Sequence, residues 1–245
     1  MGELVFVGTS DAFGAGGRGH TAVLVRAAGS TALVDCGPST LQGLERLGVD
    51  RNELDAILLT HFHGDHFAGI PFLLLAYLYE DERERPLVIA GPPGVEQRVR
   101  RLADALGYGL EDREWTFDIV FLELAPGAPV EVGPFEVEAF EVQHQKEVEP
   151  HGLHLRAEGR HLVFSGDTGW FDGLADEVRD ADLFVCECTF YDRGYDFHID
   201  YVQLLEKRDQ LECGRLVITH LGREMRARED TTEFERADDG SAITF

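Results

Sequence analysis

The chain has 245 residues, 44% of them hydrophobic and 28% charged, which is enough to bury a substantial core in one α/β domain covering residues 1–245. Its formal net charge of −24 opposes binding to a long polyanion, so we expect no extended nucleic-acid footprint. The chain starts without the basic and apolar segments of a leader peptide, and its apolar runs are shorter than the roughly 20 residues of a membrane span. We therefore expect a soluble, cytoplasmic protein without a membrane partner.

The first half of the chain alternates short apolar runs with segments of helical period. Three strands are predicted in LVFVGTS, TAVLVRA and TALVDCG, followed by a helix over Thr40 to Leu47 and a buried strand in LDAILLT. A second helix is predicted from about Asp65 to Glu80. A strand in LVIAGP and a helix from Val95 to Leu106, ended by Gly107, complete this half.

The second half is richer in strands. FEVEAFEVQH alternates strictly and predicts a half-buried strand, and LHLRAEGRHLVFSGD predicts a hairpin that turns at Glu158-Gly159. Two strand and helix units follow, DLFVCECTF with Tyr201 to Leu211, and RLVITHLG with the short stretch after it. The two comparable halves favour an αββα sandwich, in which two mixed sheets pack face to face with helices on their outer faces. Periodicity alone does not separate this architecture from other α/β layouts, so the motifs have to decide.

The segment HFHGDH directly after the strand LDAILLT contains the densest group of histidines. If the strand continues, His61 and His63 point to the same side and can bind one ion, because side chains alternate along an extended chain. Gly64 then permits a turn that brings Asp65 and His66 to a second ion. Imidazole and carboxylate ligands favour zinc, with manganese or iron as competitors. A solvated histidine-rich loop without metal is the less favoured alternative.

Three further polar residues follow apolar strands. His144 ends FEVEAFEVQH, Asp167 follows HLVFSG, and His220 ends RLVIT. Each one alone is as typical of a surface histidine or a turn aspartate as of a ligand. Their recurrence at strand ends predicts that they converge with HFHGDH at one rim of the sandwich.

These motifs resemble the metallo-β-lactamase superfamily, whose HxHxDH motif and later histidine, aspartate and histidine correspond to HFHGDH, VQH, SGDTG and ITH over essentially the whole chain. The resemblance implies two divalent metal ions, zinc first among them. It implies that one ion is bound by His61, His63 and His144, the other by Asp65, His66 and His220, and that Asp167 bridges them. Asp35 in LVDCG is implied to support the ligands without binding metal.

Within the superfamily the chain is similar to the ribonuclease Z and phosphodiesterase branch through FVGTSDAFGAGGRGHT, ECTFYDRGYDFH and ITHLG. This resemblance implies that His198 takes part in catalysis and that Glu187 orients it. Ile199-Asp200 stands where the branch usually has two small residues after that histidine, which is a departure from the pattern. The branch also implies a symmetric homodimer.

The expected activity is that of a metal-dependent hydrolase acting on small or cyclic phosphodiesters through a metal-bridging hydroxide. His198 is expected to act as a general acid at the leaving oxygen, and Asp65 to accept a proton from water as well as bind metal. The glycine-rich segment between Gly14 and His20 offers Arg18 and His20 as contacts for an anionic substrate, and a plain mobile loop is the equal alternative.

The main alternative is a ribonuclease Z-type endonuclease that acts at the 3′ end of tRNA. Residues 145–166, which separate His144 from Asp167, number only 22, and one hairpin accounts for them. The tRNA-processing enzymes of the branch insert an extended arm there, so the short interval favours a small substrate. An aryl sulfatase, a lactonase or a thioester hydrolase on the same fold is a further alternative, and a non-catalytic metal-binding scaffold is the least favoured.

Overall fold

Over residues 2–111 and 113–245, which the computed structural model describes, the strands form two seven-stranded mixed sheets. The first sheet has the order β14-β1-β2-β3-β4-β5-β6. Its strands are β1 (Glu3–Gly8), β2 (Ala22–Ala27), β3 (Ser30–Val34), β4 (Ala56–Leu58), β5 (Leu87–Gly91), β6 (Ile119–Glu123) and β14 (Ala242–Thr244). Pairing is antiparallel from β14 to β3 and parallel from β3 to β6.

The second sheet has the order β13-β12-β11-β10-β9-β8-β7. Its strands are β7 (Val130–Val132), β8 (Phe135–Glu141), β9 (His151–Ala157), β10 (Arg160–Phe164), β11 (Leu183–Glu187), β12 (Leu216–Thr219) and β13 (Glu235–Arg236). Strands β10 to β13 run parallel, whereas β7, β8 and β9 form an antiparallel meander joined to β10. The predicted hairpin between β9 and β10 is confirmed, with positive φ angles of 52° at Glu158 and 73° at Gly159.

Seven helices lie between these strands in the described residues. They are α1 (Thr40–Leu47), α2 (Gly64–Phe67), α3 (Ile70–Tyr79), α4 (Val95–Ala105), α5 (Leu174–Glu177), α6 (Tyr201–Lys207) and α7 (Arg223–Ala227). Within the described part of the chain, no helix combines the length and the apolar character needed to cross a membrane.

Three apolar layers hold the sandwich together. Leu4 and Phe6 of β1 and Val137 of β8 belong to the core between the two sheets. The outer face of the first sheet packs against α1, α3 and α4, and the outer face of the second sheet packs against α5, α6 and α7. This arrangement confirms the predicted αββα sandwich of two mixed sheets.

The single helix predicted from Asp65 to Glu80 is wrong, because the structure divides it into α2 and α3 around Gly69. The Gly69 amide donates a hydrogen bond to the Cys36 carbonyl, 2.8 Å away. A Cβ atom at Gly69 would lie 2.3 Å from the Gly37 carbonyl oxygen. The close approach of the loop after β3 therefore interrupts the helix. The next helix begins at Ile70, and Pro71 lies in its first turn, where proline is well tolerated.

Candidate metal centre

The candidate site lies at one edge of the sandwich, where several strands of both sheets end. His61 and His63 follow β4, and α2 follows them directly with Asp65 and His66. His144 lies after β8, Asp167 after β10, and His220 after β12. Strands β8, β10 and β12 run in the same direction, so the residues after them meet at the same edge.

One group of ligand atoms comes from His61, His63, His144 and Asp167, and these atoms all lie within 4.8 Å of one another. His63 Nδ1 is 3.2 Å from His61 Nε2 and 3.1 Å from His144 Nε2. His61 Nε2 is 3.8 Å from Asp167 Oδ2. Three imidazole nitrogens and one carboxylate oxygen therefore face a common point.

A second group consists of Asp65, His66, Asp167 and His220, again with ligand atoms within 4.8 Å. His66 Nε2 is 3.3 Å from Asp65 Oδ2 and 3.3 Å from Asp167 Oδ1. His220 Nε2 is 3.4 Å from the same two carboxylates. Asp167 is the member shared by the two groups.

The donors fit divalent cations. His66 Nε2 and Asp167 Oδ1 are buried and make no hydrogen bond among the described residues, although they face each other at 3.3 Å. Buried polar atoms almost always have a partner, and a cation between a ring nitrogen and a carboxylate oxygen is one. Imidazole and carboxylate are ligands that zinc accepts. The structure thus brings together all seven ligand residues that the sequence predicts.

The electrostatics of the site also favour a cation. Burial lowers the pKa of His61 and His144, so neutral imidazoles suited to metal binding lie in the first group. Burial opposes the charged form of Asp167, but His220 and His66 outweigh it and hold the pKa of Asp167 well below its usual range. Against its own burial, the pKa of His66 is raised by Asp167 and Asp65. The carboxylates therefore attract positive charge to this point.

A set of hydrogen bonds orients the ligand rings from behind. The buried Asp35 carboxylate lies 2.8 Å from His66 Nδ1 and also accepts hydrogen bonds from the amide and hydroxyl of Thr60. The Thr60 hydroxyl is 3.0 Å from His61 Nδ1. Because Nδ1 of each ring is bonded, Nε2 faces the centre of the site. Supporting residues commonly orient histidine ligands of metal sites in this way.

The same arrangement occurs on the opposite side of the site. His144 Nδ1 donates to the Phe197 carbonyl oxygen at 2.8 Å. The Thr189 hydroxyl lies 2.8 Å from His220 Nδ1 and 3.0 Å from Glu187 Oε2. Thr189 therefore links the metal ligands to the neighbouring pair formed by Glu187 and His198.

The half-buried His198 and the buried Glu187 form a pair beside the candidate metal ligands. His198 Nδ1 is 2.8 Å from Glu187 Oε1, and the His198 ring stacks on the ring of His220 with centroids 5.6 Å apart. Burial lowers the pKa of His198, but the Glu187 carboxylate overcomes this effect and raises it to about 9. Glu187 is itself held by the amides of Thr168 and Thr189. Ligand atoms of Glu187, His198 and His220 also lie within 4.8 Å of one another.

A cavity of about 640 Å³ opens above the site. It is lined by the site residues His63, Asp65, Asp167, His198 and His220, and by Asp11, Ala12, Phe13, Thr189, Phe190, Asp192, Arg193, Gly222, Arg223 and Glu224. Such a volume is typical of small-ligand sites. Sequence reasoning did not single out Phe13, Arg193 or Arg223. The first two lie in loops and Arg223 begins α7, and only the fold brings them together.

Arg18 and His20 lie away from this lining. The Arg18 guanidinium makes an ion pair with Asp238 at 2.9 Å. His20 Nδ1 is 3.0 Å from the Ser39 hydroxyl, which also accepts a hydrogen bond from the His20 amide. Neither residue lines the cavity. A substrate contact by either residue stays a prediction, and the arginines that do line the cavity are Arg193 and Arg223.

Comparisons with known proteins agree with this geometry. Residues 2–237 match the model of a family described as anti-Pycsar protein Apyc1. The chain is 31% identical to a ribonuclease Z of Bradyrhizobium diazoefficiens over 90% of each chain. It superimposes on human tRNase Z, short form, with a TM-score of 0.80 and 26% identity, over 99% of this chain and 98% of that one. The metallo-β-lactamase fold protein YhfI from Bacillus subtilis has a TM-score of 0.79 at 22% identity, over 100% of both chains.

Proposed function

The chain belongs to the family of the anti-Pycsar protein Apyc1, and on that premise we propose that it is a binuclear metal-dependent phosphodiesterase acting on small or cyclic phosphodiesters. It is a hydrolase of the metallo-β-lactamase superfamily, in the ribonuclease Z and phosphodiesterase branch. The proposal adds the number of metal ions, the bond cleaved and the size of the substrate.

The observation that carries the proposal is the pair of ligand groups joined by Asp167 at the bottom of the cavity. One group would be held by His61, His63 and His144, the other by Asp65, His66 and His220, with Asp167 common to both. Two divalent cations, zinc by preference, would there lower the pKa of a water molecule and neutralise charge on the phosphate oxygens. Cleavage of a phosphodiester uses both effects.

The residues of the chain supply the remaining steps. His198 lines the cavity, and because its Nδ1 is bonded to Glu187, its Nε2 is available to donate a proton to the leaving oxygen. Glu187 is a positioning residue that fixes the His198 ring. Asp65 borders the same cavity and would accept the proton that the attacking water loses. These three roles are the catalytic part of the proposal.

The chain between His144 and Asp167 supports a small substrate. Residues 146–148 form one 3₁₀ turn, and the hairpin of β9 and β10 takes up most of the remainder. A projecting arm that could grip a folded RNA does not occur in this interval. The net charge of −24 points the same way, because each phosphate of a long nucleic acid would approach an acidic surface.

A ribonuclease Z activity is the second candidate, favoured by the 31% identity to the Bradyrhizobium enzyme over 90% of the chain. The two candidates share the metal site and differ in what lies around it. Cleavage of precursor tRNA needs contacts beyond one phosphate, whereas a cyclic phosphodiester fits within the cavity.

The test is a competition among substrates with metal-reconstituted protein of known metal content. A bis-aryl phosphodiester, 3′,5′-cyclic nucleotides, precursor tRNA, an aryl sulfate, a lactone and a thioester are assayed at the same moderate salt concentration. We expect the phosphodiesters to have the highest kcat/KM and the tRNA to be processed poorly. Correctly placed tRNA cleavage that exceeds the small-diester efficiency would replace this proposal with the endonuclease.

A further inference from the structure

Phe13 has no role in the core of the fold. Its side chain is 90% exposed, the highest exposure of any large hydrophobic residue in the described chain. It nevertheless lines the cavity that contains His63 and Asp167. No aromatic ring within the described ranges packs against it. An exposed aromatic ring that lines a candidate active site is available for contact with a ligand.

The backbone that carries Phe13 is held in place, so its exposure is built into the fold. Asp11 is only 7% exposed, and its Oδ1 accepts hydrogen bonds from the Ser10 hydroxyl at 2.9 Å and the Phe13 amide at 3.1 Å. The same oxygen accepts from the Ala15 amide at 3.2 Å. Ala15 is buried and begins a 3₁₀ turn that packs on α7. Asp11 therefore presents Phe13 at the cavity from a fixed turn.

Two arginines, Arg193 and Arg223, line the same cavity beside the acidic residues Asp11, Asp192 and Glu224. No ion pair joins Arg193 or Arg223 to a carboxylate within residues 2–111 and 113–245. The Arg193 guanidinium carbon lies 4.6 Å above the ring of Phe190. In a chain with 46 acidic residues and 22 basic ones, unpaired arginines at this position favour an anion.

The cavity thus combines two arginines without an ion pair, a candidate phosphodiester centre and an exposed aromatic ring. Metal binding and anion binding do not require an exposed aromatic ring, so neither of them accounts for Phe13. A nucleotide phosphodiester complements all three features, because its phosphate is anionic, its ester bond can lie at the candidate centre, and its base offers a planar π-face for stacking. A simple alkyl diester has the charge and the ester bond but no base.

We propose that Phe13 is the stacking platform for the nucleobase of a nucleotide phosphodiester, and that this contact selects nucleotides over diesters without an aromatic group. The inference rests on the proposed function and specifies its substrate class. Phe13 acts on specificity and takes no part in the chemical step. Any of the common bases can stack, so the platform by itself recognises a base without choosing among them.

The test compares the metal-reconstituted wild type with Phe13→Ala, Phe13→Leu and Phe13→Trp. Two substrates have the same cyclic diester: 3′,5′-cyclic UMP, and methyl riboside 3,5-cyclic phosphate, in which a methyl group replaces the base. We expect Phe13→Ala to lower kcat/KM on cyclic UMP about 5- to 100-fold, mainly through KM, and to lower it far less on the riboside. Phe13→Trp keeps the preference for cyclic UMP, whereas Phe13→Leu loses it because leucine has no π-face.

Leu47→Ala is the matched control, since it removes a 37% exposed apolar side chain that does not line the cavity. It should change neither efficiency. A binding arm separates this inference from the proposed function: 5′-UMP is titrated calorimetrically into the wild type and Phe13→Ala. If no diester is hydrolysed, the proposed function fails, yet weaker UMP binding by Phe13→Ala still supports the platform. Equal UMP binding together with an unchanged substrate preference would overturn it.

Discussion

Two residues of the candidate site adopt a backbone conformation that residues other than glycine rarely adopt. The φ angle is 60° at Asp35 and 56° at His220. Strain of this kind costs roughly 1–3 kcal/mol and persists only where the surroundings hold it. Asp35 is held by Thr60 and His66, and His220 by the Thr189 hydroxyl. The strained positions are therefore the ones that aim side chains at the metal site.

Asp35→Asn tests the support behind His66. Asparagine tolerates the left-handed conformation, but it removes the charged acceptor for His66 Nδ1 and Thr60. We expect metal affinity to fall about 10- to 100-fold while the fold is kept. Competition with a chromogenic chelator measures the affinity, and Asp50→Asn, which alters an exposed turn residue, is the control. Unchanged affinity would mean that Asp35 only stabilises the loop.

Asp167→Ala and His198→Ala separate metal binding from turnover. Asp167 belongs to both ligand groups, so its loss should reduce the bound metal at both. His198→Ala should keep the metal content and lower kcat on a phosphodiester about 100-fold or more, as loss of a general acid does. Elemental analysis and steady-state kinetics give the two readouts. A His198→Ala enzyme with wild-type kcat would remove His198 from the mechanism.

At the level of elements, close backbone approaches decide where helices begin and end. The junction of α2 and α3 is set by the loop after β3, which meets Gly69 at hydrogen-bonding distance. The strands β6, β7, β13 and β14 were not predicted. They lie at or next to sheet edges, where one side of a strand lacks a neighbour, and the apolar pattern of a strand weakens there.

Gly69→Ala should destabilise the protein because the added Cβ would meet the carbonyls of Gly37 and Cys36, which are backbone atoms that cannot swing away. We expect a loss of about 1–3 kcal/mol in the free energy of unfolding, with weaker metal retention because Asp35 lies in the displaced loop. Gly64→Ala, where an added Cβ meets nothing within 4 Å, is the control within the same motif. Urea denaturation compares the two, and equal stabilities would contradict the steric explanation.

The hairpin of β9 and β10 makes the stability depend on pH through His161. Burial, followed by the charges of Arg156 and His154, lowers the pKa of His161 from 6.5 to about 4, against the opposing effects of Asp182 and Glu138. Between pH 4 and pH 6.5, therefore, His161 binds a proton in the unfolded chain and largely stays neutral in the folded protein. The contribution of neutral His161 to the free energy of unfolding is present above pH 6.5 and is lost as the pH falls towards 4.

His161→Gln removes this proton linkage. The variant should lose less free energy of unfolding than the wild type when the pH falls from 7 to 5, as measured by urea denaturation at both values. Titrating groups that do not contact His161 act equally in both proteins, so the difference between them reports on His161 and its contact with His154. If both proteins lost the same free energy of unfolding, the pKa of His161 would not differ between the folded and the unfolded chain.

For the whole molecule, we propose a symmetric homodimer. Phe72 and Tyr79 on α3 and Leu106 after α4 are 39%, 67% and 39% exposed, and α3 and α4 are neighbours in the fold. Exposed apolar groups on neighbouring helices are a feature of contact surfaces. Light scattering should give twice the chain mass of 27.3 kDa, and Phe72→Glu with Tyr79→Glu should lower it towards the monomer. A monomer mass for the wild type at all concentrations would exclude the dimer.

The sequence alone pointed to the seven candidate ligands, and its periodicity together with the family motifs predicted the αββα architecture. Apolar periodicity reports which face of a strand or helix is buried, and a polar residue directly after a buried strand stands out against that pattern. His61 and His63 share a side because an extended chain alternates, whatever surrounds it. These properties are local, so they can be read from neighbouring residues.

Only the tertiary structure decided which residues share the cavity. Phe13 and Arg193 lie in loops after β1 and β11, and Arg223 begins α7 after β12. Their neighbours in sequence do not indicate that these three segments meet. Arg18 pairs with Asp238, a residue 220 positions away, which no local pattern can indicate. The path of a loop depends on the packing of the elements at both of its ends, and that packing is settled by the whole core.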